Sequence, residues 1–375
     1  MPHLIFFGHD AHDAAVQRRI AAFARAGAQV AGFTMRRGEA FEPPWVNVDL
    51  GPTRDAAFAQ RLAALARARA ILARHKNVLA AADIFYARNL DMLLLATQAK
   101  KMSGARAQIV YECLDIHRFM TREDALGAAM RALERRLLKA SERVIISSPA
   151  FEREYFAKRH PGAYRAQLIE NRMPPGFAYG PRPAAAPARD GAINIGWFGN
   201  LRCKRSLALL LELAAQFPDR VRLTLRGAPA KAEFADFEAR WAGRANVDFA
   251  GRYRWPDDLG AIYAGVDLVW AGDFHDAGAN SKWLLPNRLY EGGYYGAPPL
   301  APAESETGRW IDAHGFGFTL GEPLEATLPA FIENLKPARI AEARTRLRAA
   351  PENIFLQDEA EIPGLLESLR TARAP

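Results

Sequence analysis

The chain has 375 residues, half of them hydrophobic and a quarter charged, which excludes a disordered or fibrous protein. Its two cysteines, Cys113 and Cys203, are far apart and lack metal-type spacing, so we expect no disulfide framework and a reducing cytoplasm. No apolar run reaches the roughly 18 residues of a membrane-spanning helix, and Leu4–Phe7 is too short for a signal peptide. Any membrane contact is therefore predicted to be peripheral.

The net charge of +8 is concentrated in the first half of the chain. Residues 1–180 carry 27 Lys and Arg against 17 Asp and Glu, whereas the remainder carries 23 against 25. A basic half attracts anionic surfaces, and lipid or lipid-linked phosphate is favoured here over nucleic acid. Because the arginines are scattered along helices, a merely solvated face is the alternative.

The first half alternates short apolar runs with alanine-rich helical stretches, which is typical of a parallel sheet covered by helices. The predicted strands are Leu4–Phe7, Val30–Thr34, Ile84–Ala87, Gln108–Glu112 and Arg143–Ser147. The predicted helices are Asp13–Ala26, Asp55–Ala73, Asn89–Lys101 and Thr121–Ser141.

A proline-rich stretch then interrupts the pattern, which restarts after it. We predict domains at 1–175 and 192–350, a linker at 176–191, and a C-terminal helix in 351–375 that can pack back on the first domain. In the second domain a helix is predicted over Ser206–Gln216, with Ser206 as its N-cap. The predicted strands are Ile193–Phe198, Val221–Arg226, Val247–Ala250, Leu268–Ala271 and Pro299–Ala301.

The turn after the first strand of the second domain is the first candidate site. Gly199 turns the chain, and Arg202, Lys204 and Arg205 follow just before the helix. Cations beside a helix N-terminus suit a pyrophosphate. The alternative is a basic surface turn.

A second candidate site lies on a helix predicted to begin at Pro286. Asn287 and Glu291 are four residues apart and share one face, and Arg288 lies between them. The Glu291 carboxylate could accept hydrogen bonds from two ribose hydroxyls. A salt bridge from Glu291 to Arg288 is the alternative, and spacing does not separate the two.

Polar residues also follow several predicted strands, where parallel sheets bind ligands. Asp115 and His117 follow one strand of the first domain and could orient a hydroxyl, or serve as a helix cap and a half-buried histidine. The polar cluster directly after the first strand, within residues 9–13, resembles a metal site in composition. Asp13 is expected to cap the following helix instead, so no metal is predicted. The remaining candidates are Gly8, His9, Asp10, Tyr86 and Arg88 for an acceptor, and Asp273 with Asp276 for sugar hydroxyls.

Several segments resemble the family-4-type glycosyltransferases of the GT-B fold. Together they cover most of residues 165–320 in the family's order, and two further runs resemble the branch that makes bacterial exopolysaccharides such as succinoglycan. The family segments are Ile169–Pro174, Gly199–Arg205, Ala264–Val269 and Leu289–Ala301; the branch runs are Phe6–Ala11 and Asn280–Glu291.

The resemblance implies an α/β protein with two Rossmann-like domains, whose parallel sheets face a central cleft. It implies ribose binding by Glu291, pyrophosphate binding by Arg202 with Lys204 or Arg205, and donor-sugar contact by His117. The family's paired glutamates are eight residues apart, but position 283 is Trp283, so Asp273 or Asp276 is a possible replacement. Asn200 stands where the family has arginine.

The implied activity is a retaining, metal-independent hexosyl transfer from a UDP- or GDP-linked sugar, with no other cofactor. The implied acceptor is a polyprenyl-diphosphate-linked glycan at the inner face of the cytoplasmic membrane, with peripheral binding to the anionic surface and no nucleic-acid partner. A nucleotide-sugar epimerase of the same fold and a non-catalytic binding scaffold are the alternatives. An oxidoreductase is disfavoured because no Gly-x-Gly-x-x-Gly motif follows either first strand.

Overall fold

A computed structural model describes residues 1–53, 58–183, 191–276 and 280–372. The start of the predicted helix 55–73, residues 184–190 of the predicted linker, and residues 373–375 lie outside this part of the chain. The chain divides into two compact units. The first comprises Met1–Glu170 with Asp358–Pro375, and the second comprises Asn171–Gln357.

The first unit is built on a parallel seven-stranded sheet of order β3-β2-β1-β4-β5-β6-β7. Its central strands are almost wholly buried, which explains their continuous apolar runs. The strands are β1 His3–Gly8, β2 Gln29–Arg36, β3 Asn47–Pro52, β4 Ile84–Arg88, β5 Gln108–Cys113, β6 Arg143–Ile146 and β7 Ala166–Leu168.

Helices cover this sheet. The C-terminal helix α14, Glu361–Thr371, places Ile362 and Leu365 in the same hydrophobic cluster as Leu4 and Val16. The other helices are α1 Ala14–Arg25, α2 Phe58–Arg74, α3 Lys76–Ala80, α4 Leu90–Ser103, α5 Arg118–Thr121, α6 Ala125–Lys139 and α7 Ala157–Arg159, the last preceded by a π-helical turn at Phe151–Phe156.

The second unit has a parallel six-stranded sheet of order β10-β9-β8-β11-β12-β13. The strands are β8 Ile193–Leu201, β9 Val221–Pro229, β10 Val247–Phe249, β11 Leu268–Trp270, β12 Pro299–Pro302 and β13 Phe318–Leu320. The helices are α8 Lys204–Gln216, α9 Leu259–Ala264, α10 Asn287–Tyr294, α11 Glu306–His314, α12 Leu324–Asn334 and α13 Pro337–Ala349.

Several predicted elements differ from the observed ones. Strands β3, β7 and β13 were not predicted; β7 and β13 have only three residues each, and β3 carries polar residues at an exposed sheet edge. The predicted helix Thr121–Ser141 is observed as α6 and starts at Ala125, because Asp124 caps it by accepting a hydrogen bond from the Gly127 N–H. The short helix α5 ends at Thr121, before this cap. None of the helices in the described ranges has the length and hydropathy needed to cross a bilayer.

Candidate functional site

The carboxyl end of β8 approaches the neighbouring strand unusually closely. Gly199 has φ +109° and Gly227, its partner on β9, has φ +136°. A Cβ on Gly227 would lie 1.8 Å from the Gly199 carbonyl oxygen, so only glycine fits there. The strand continues through Gly199 to Leu201. The predicted turn at 199–205 is therefore wrong: only Arg202 and Cys203 separate β8 from the helix.

Helix α8 begins at Lys204, two residues before the predicted start. Its N-cap is Cys203 and not Ser206, because the Cys203 Sγ accepts a hydrogen bond from the Ser206 N–H at 3.3 Å. The same sulfur accepts from the Phe274 N–H at 3.2 Å and so ties the loop after β11 to this helix start. Ser206 is fully buried and donates to the Gly272 carbonyl.

The three predicted phosphate-binding cations have different partners. Arg205 pairs with Glu322 and Glu325, and Lys204 pairs with Glu233 at 3.2 Å. Those contacts occupy the two side chains on the first turn of α8. Arg202 lies directly after β8, at the carboxyl edge of the sheet.

Arg202 lies next to Asp273, with 3.6 Å between its Nη2 and the Asp273 Oδ2. The other carboxylate oxygen accepts hydrogen bonds from the His275 N–H at 2.8 Å and the Ser281 hydroxyl at 3.2 Å. These contacts fix the orientation of Asp273 three residues beyond β11. Asp276 donates its N–H to the Ser281 hydroxyl at 2.8 Å.

Helix α10 brings two further predicted residues to this region. Arg288 donates to the carbonyl oxygens of Phe198 at 3.4 Å and Gly272 at 3.2 Å, near the carboxyl ends of β8 and β11. The helix begins at Asn287, which is exposed, and Pro286 is its N-cap residue. The predicted start at Pro286 is thus one residue early.

Glu291 is 5% exposed and fixed by two aromatic donors. Trp255 Nε1 donates to one carboxylate oxygen at 3.1 Å, and the Tyr263 hydroxyl donates to the other at 2.9 Å. Burial and the neighbouring Glu291 raise the pKa of Tyr263 well above its usual value, so it remains a donor. Sequence reasoning missed both aromatic residues, because they lie 36 and 28 positions before Glu291 in ordinary-looking segments.

In the first unit, the polar cluster after β1 is a network around the start of α1. Asp10 is buried and accepts from the backbone N–H groups of His12 and Arg37. Asp13 caps α1, as predicted, by accepting from two N–H groups of its first turn. His9 Nε2 lies 3.7 Å from the Asp13 Oδ2. Gly8 is packed so tightly that a Cβ would lie 3.0 Å from a methyl carbon of Thr34.

Tyr86 and Arg88 are buried on β4. Arg88 Nε donates to the Glu112 Oε2 at 2.6 Å, and Arg19 pairs with the Glu112 Oε1 at 2.9 Å. Glu112 is fully buried between them. This ion triad fixes the Arg88 side chain in the interior of the first unit. Acceptor binding by Tyr86 and Arg88 stays a prediction, and it requires that Arg88 also keep its ion pair with Glu112.

Asp115 and His117 are both exposed beyond β5. His117 is the N-cap of α5, and its Nδ1 accepts from the Phe119 N–H at 3.3 Å. The cap in this segment is therefore the histidine and not the aspartate. Within the described ranges, no three His, Cys, Asp or Glu side chains are grouped as metal ligands.

Comparisons with known proteins agree with this architecture. No family model matches the chain. The succinoglycan biosynthesis protein ExoL of Rhizobium meliloti (strain 1021) is 38% identical, over 99% of this chain and 94% of that protein.

Solved structures share the fold at low identity. Sucrose-phosphate synthase from Thermosynechococcus elongatus matches with a TM-score of 0.72 at 15% identity, covering 99% of this chain and 98% of that one. HepE from Anabaena, solved in complex with UDP and glucose, matches with a TM-score of 0.70 at 16% identity, covering 99% and 100%. The predicted family and fold are confirmed: the chain has the GT-B fold of glycosyltransferases and belongs to the family of the succinoglycan biosynthesis protein ExoL.

Proposed function

We propose that the chain is a glycosyltransferase that moves a hexose from a nucleotide-diphosphate sugar to a lipid-linked or oligosaccharide acceptor in exopolysaccharide or cell-surface glycan biosynthesis. The observation that carries this proposal is the buried Glu291 carboxylate, oriented by Trp255 and Tyr263. It lies on the same helix as Arg288, whose guanidinium reaches the carboxyl ends of two strands.

The donor nucleotide would bind to the second unit. Glu291 would accept hydrogen bonds from the two ribose hydroxyls, and Asn287 is exposed one turn earlier on the same helix. HepE, which shares the fold, was solved with UDP and with UDP-glucose. That supports a UDP-linked donor as the first to test, with a GDP-linked donor second.

Transfer joins the acceptor hydroxyl oxygen to the anomeric carbon and breaks the bond between that carbon and a diphosphate oxygen. The electron pair leaves with the diphosphate, and the hydroxyl proton is released. Preorganised cations stabilise such a developing charge. We expect Arg202 and Arg288 to do so at the glycine-lined end of β8, whereas Lys204 and Arg205 are paired with carboxylates. This arrangement supports a reaction that needs no metal ion.

Asp273 would take over sugar-hydroxyl contact from the glutamate that this chain lacks, because its carboxylate is oriented next to Arg202. Retention of anomeric configuration rests on the family resemblance. The acceptor would bind to the first unit through residues at the carboxyl edge of its sheet. These residues are Gly8, His9, Asp10, Tyr86 and Arg88, and Asp115 with His117 would be the catalytic residues that orient the substrates.

The basic charge of residues 1–180 supports an acceptor on a polyprenyl diphosphate and peripheral binding to the inner face of the cytoplasmic membrane. Flotation with vesicles containing phosphatidylglycerol tests the membrane part. Binding at low salt that is lost at high salt is expected. Failure to bind these vesicles would contradict membrane association and leave the transferase proposal standing.

The transferase test uses radiolabelled UDP-glucose and GDP-mannose, with a lipid extract from a strain deleted for this gene as acceptor. We expect label to enter the lipid fraction in the presence of EDTA, with release of the nucleoside diphosphate, and NMR of the product to show the donor's anomeric configuration. Glu291→Gln should abolish incorporation.

Two outcomes favour the alternatives. Conversion of the donor to an epimer without labelled lipid would indicate a nucleotide-sugar epimerase. Tight nucleotide binding with no turnover of any donor in a sugar-nucleotide panel would indicate a non-catalytic scaffold.

A further inference from the structure

The loop after β11, in the second unit, is anchored to the start of α8 on both sides of Asp273. The Gly272 carbonyl oxygen accepts a hydrogen bond from the Ser206 hydroxyl at 3.3 Å. On the other side, the Phe274 N–H donates to the Cys203 Sγ at 3.2 Å. These two contacts fix the backbone that carries Asp273.

The Asp273 carboxylate is held separately through its oxygens. Oδ1 accepts from the His275 N–H at 2.8 Å and from the Ser281 hydroxyl at 3.2 Å. The Ser281 oxygen itself accepts from the Asp276 N–H at 2.8 Å, so its own hydrogen is available to Asp273. The Asp273 side chain is still 15% exposed. The carboxylate is therefore oriented and yet accessible to a ligand.

Arg202 places this carboxylate next to the expected diphosphate site. Its Nη2 lies 3.6 Å from the Asp273 Oδ2, and its side chain is 31% exposed. In a sugar nucleotide the hexose is bonded directly to the diphosphate. A carboxylate beside the cation that holds the diphosphate is consequently within reach of hydroxyl groups on that hexose.

The Cys203 sulfur has two donors, and only one of them belongs to a helix cap. The Ser206 N–H, at 3.3 Å, is in the first turn of α8, whereas the Phe274 N–H belongs to the loop after β11. Cys203 is buried, so water does not stand in for the sulfur at this contact. The bond to Phe274 holds the loop, which capping alone does not require.

We propose that Cys203 and Ser281 are positioning residues that aim the Asp273 carboxylate at the hydroxyl groups of the donor sugar. This inference rests on the proposed transferase function. Cys203 sets where the loop lies against α8, and Ser281 sets how the carboxylate is turned. The oriented carboxylate then accepts hydrogen bonds from the sugar beside Arg202.

Calorimetry isolates the sugar contact when the affinity for a sugar nucleotide is divided by the affinity for its nucleoside diphosphate. The pair is UDP-glucose with UDP, or GDP-mannose with GDP, according to which donor the chain transfers. Asp273→Asn should lower the affinity for the sugar nucleotide about tenfold or more, because hydrogen bonds to a charged acceptor are lost. Affinity for the diphosphate should be unchanged or higher, since a negative charge beside Arg202 is removed.

Cys203→Ser separates the loop contact from capping. Serine is a good N-cap, so we expect an unchanged thermal midpoint. The C–O bond is shorter than the C–S bond, and an oxygen acceptor needs its donor at about 2.9–3.0 Å, so serine cannot serve both N–H groups. Affinity for the sugar nucleotide should fall about three- to tenfold, and affinity for the diphosphate should not change.

Ser281→Ala should have the same selective effect, because it removes the hydroxyl that turns Asp273. Neither change should lower the affinity ratio further in an Asp273→Asn background, since both act through that carboxylate. Thr319→Val is the matched control. It removes a hydroxyl that donates to Asp312 at 2.9 Å elsewhere in the second unit, and it should leave both affinities unchanged.

The outcomes separate this inference from the proposed function. If Cys203→Ser and Ser281→Ala weaken both ligands equally, or weaken neither, the two residues have no positioning role and the inference is wrong. The inference also fails if Asp273→Asn leaves the affinity ratio unchanged. If the wild-type protein binds neither UDP nor GDP and transfers no sugar, the proposed function itself has failed.

Discussion

Replacing Glu112 by glutamine is expected to destabilise the first unit by about 3–5 kcal/mol, because it breaks a buried ion triad from its centre. Glu112 is fully buried and accepts from Arg19 at 2.9 Å and from Arg88 at 2.6 Å. The side chains of the two arginines are only 7% and 2% exposed. Glutamine keeps the shape but removes the negative charge that both buried guanidinium groups contact.

Urea unfolding followed by circular dichroism measures this loss, and a thermal scan should show a midpoint lower by about 6–20 °C for a unit of this size. Glu142→Gln is the control: Glu142 pairs with Arg165 at 3.3 Å, and that arginine side chain is 76% exposed. Its cost should be about 0–1 kcal/mol. Equal urea midpoints for the two variants would refute the role assigned to the triad.

The triad also predicts a pH dependence. Burial raises the Glu112 pKa, but Arg19 and Arg88 lower it by more, so its folded pKa lies below its ordinary value. The triad therefore stabilises the folded state fully above the unfolded pKa of about 4.3, and this stabilisation is lost as the pH falls through the folded pKa. The difference in urea midpoint between wild type and Glu112→Gln should shrink in acid and stay constant from pH 6 to 8.

The other predictions concern the second unit. Arg202→Ala should weaken UDP binding, measured by calorimetry, by about tenfold or more. Arg205→Ala should change UDP affinity little, because Arg205 is already paired with two carboxylates. Equal losses of affinity in the two variants would contradict this assignment. Gly227→Ala should lower the thermal midpoint sharply, since its Cβ would lie 1.8 Å from the Gly199 carbonyl oxygen, and an unchanged midpoint would show that the close approach is not required.

The fold was largely predictable because its central strands are buried on both faces. Their continuous apolar runs, such as Leu4–Phe7, can be recognised from the sequence alone. The short strand Phe318–Leu320 could not be predicted, because three residues carry no periodicity. Cys203 was missed as a helix cap because a thiol rarely has that role. The hydrogen bonds that its sulfur accepts from the Ser206 and Phe274 N–H groups reveal the arrangement.

The residues of the candidate site could be predicted from the sequence, but the partners that their side chains bind could not. Spacing placed Arg202, Lys204 and Arg205 together, but their carboxylate partners come from other segments of the chain, more than 100 residues later in the case of Arg205. The same limit applied to Glu291, for which spacing left ribose binding and a bond to Arg288 equally open. Non-local contacts decide such questions, and one sequence does not contain them.

Calorimetric titration of wild type and Glu291→Gln with UDP, and then with GDP, shows whether Glu291 holds the donor nucleotide. We expect the variant to bind the preferred diphosphate about 10- to 100-fold more weakly, because hydrogen bonds to the charged carboxylate are lost. Asp267→Asn is the control: Asp267 is a buried carboxylate at the amino end of β11 and pairs with Arg344 at 3.0 Å, so it should leave affinity unchanged. Equal affinity of wild type and Glu291→Gln would contradict the donor site described for the second unit.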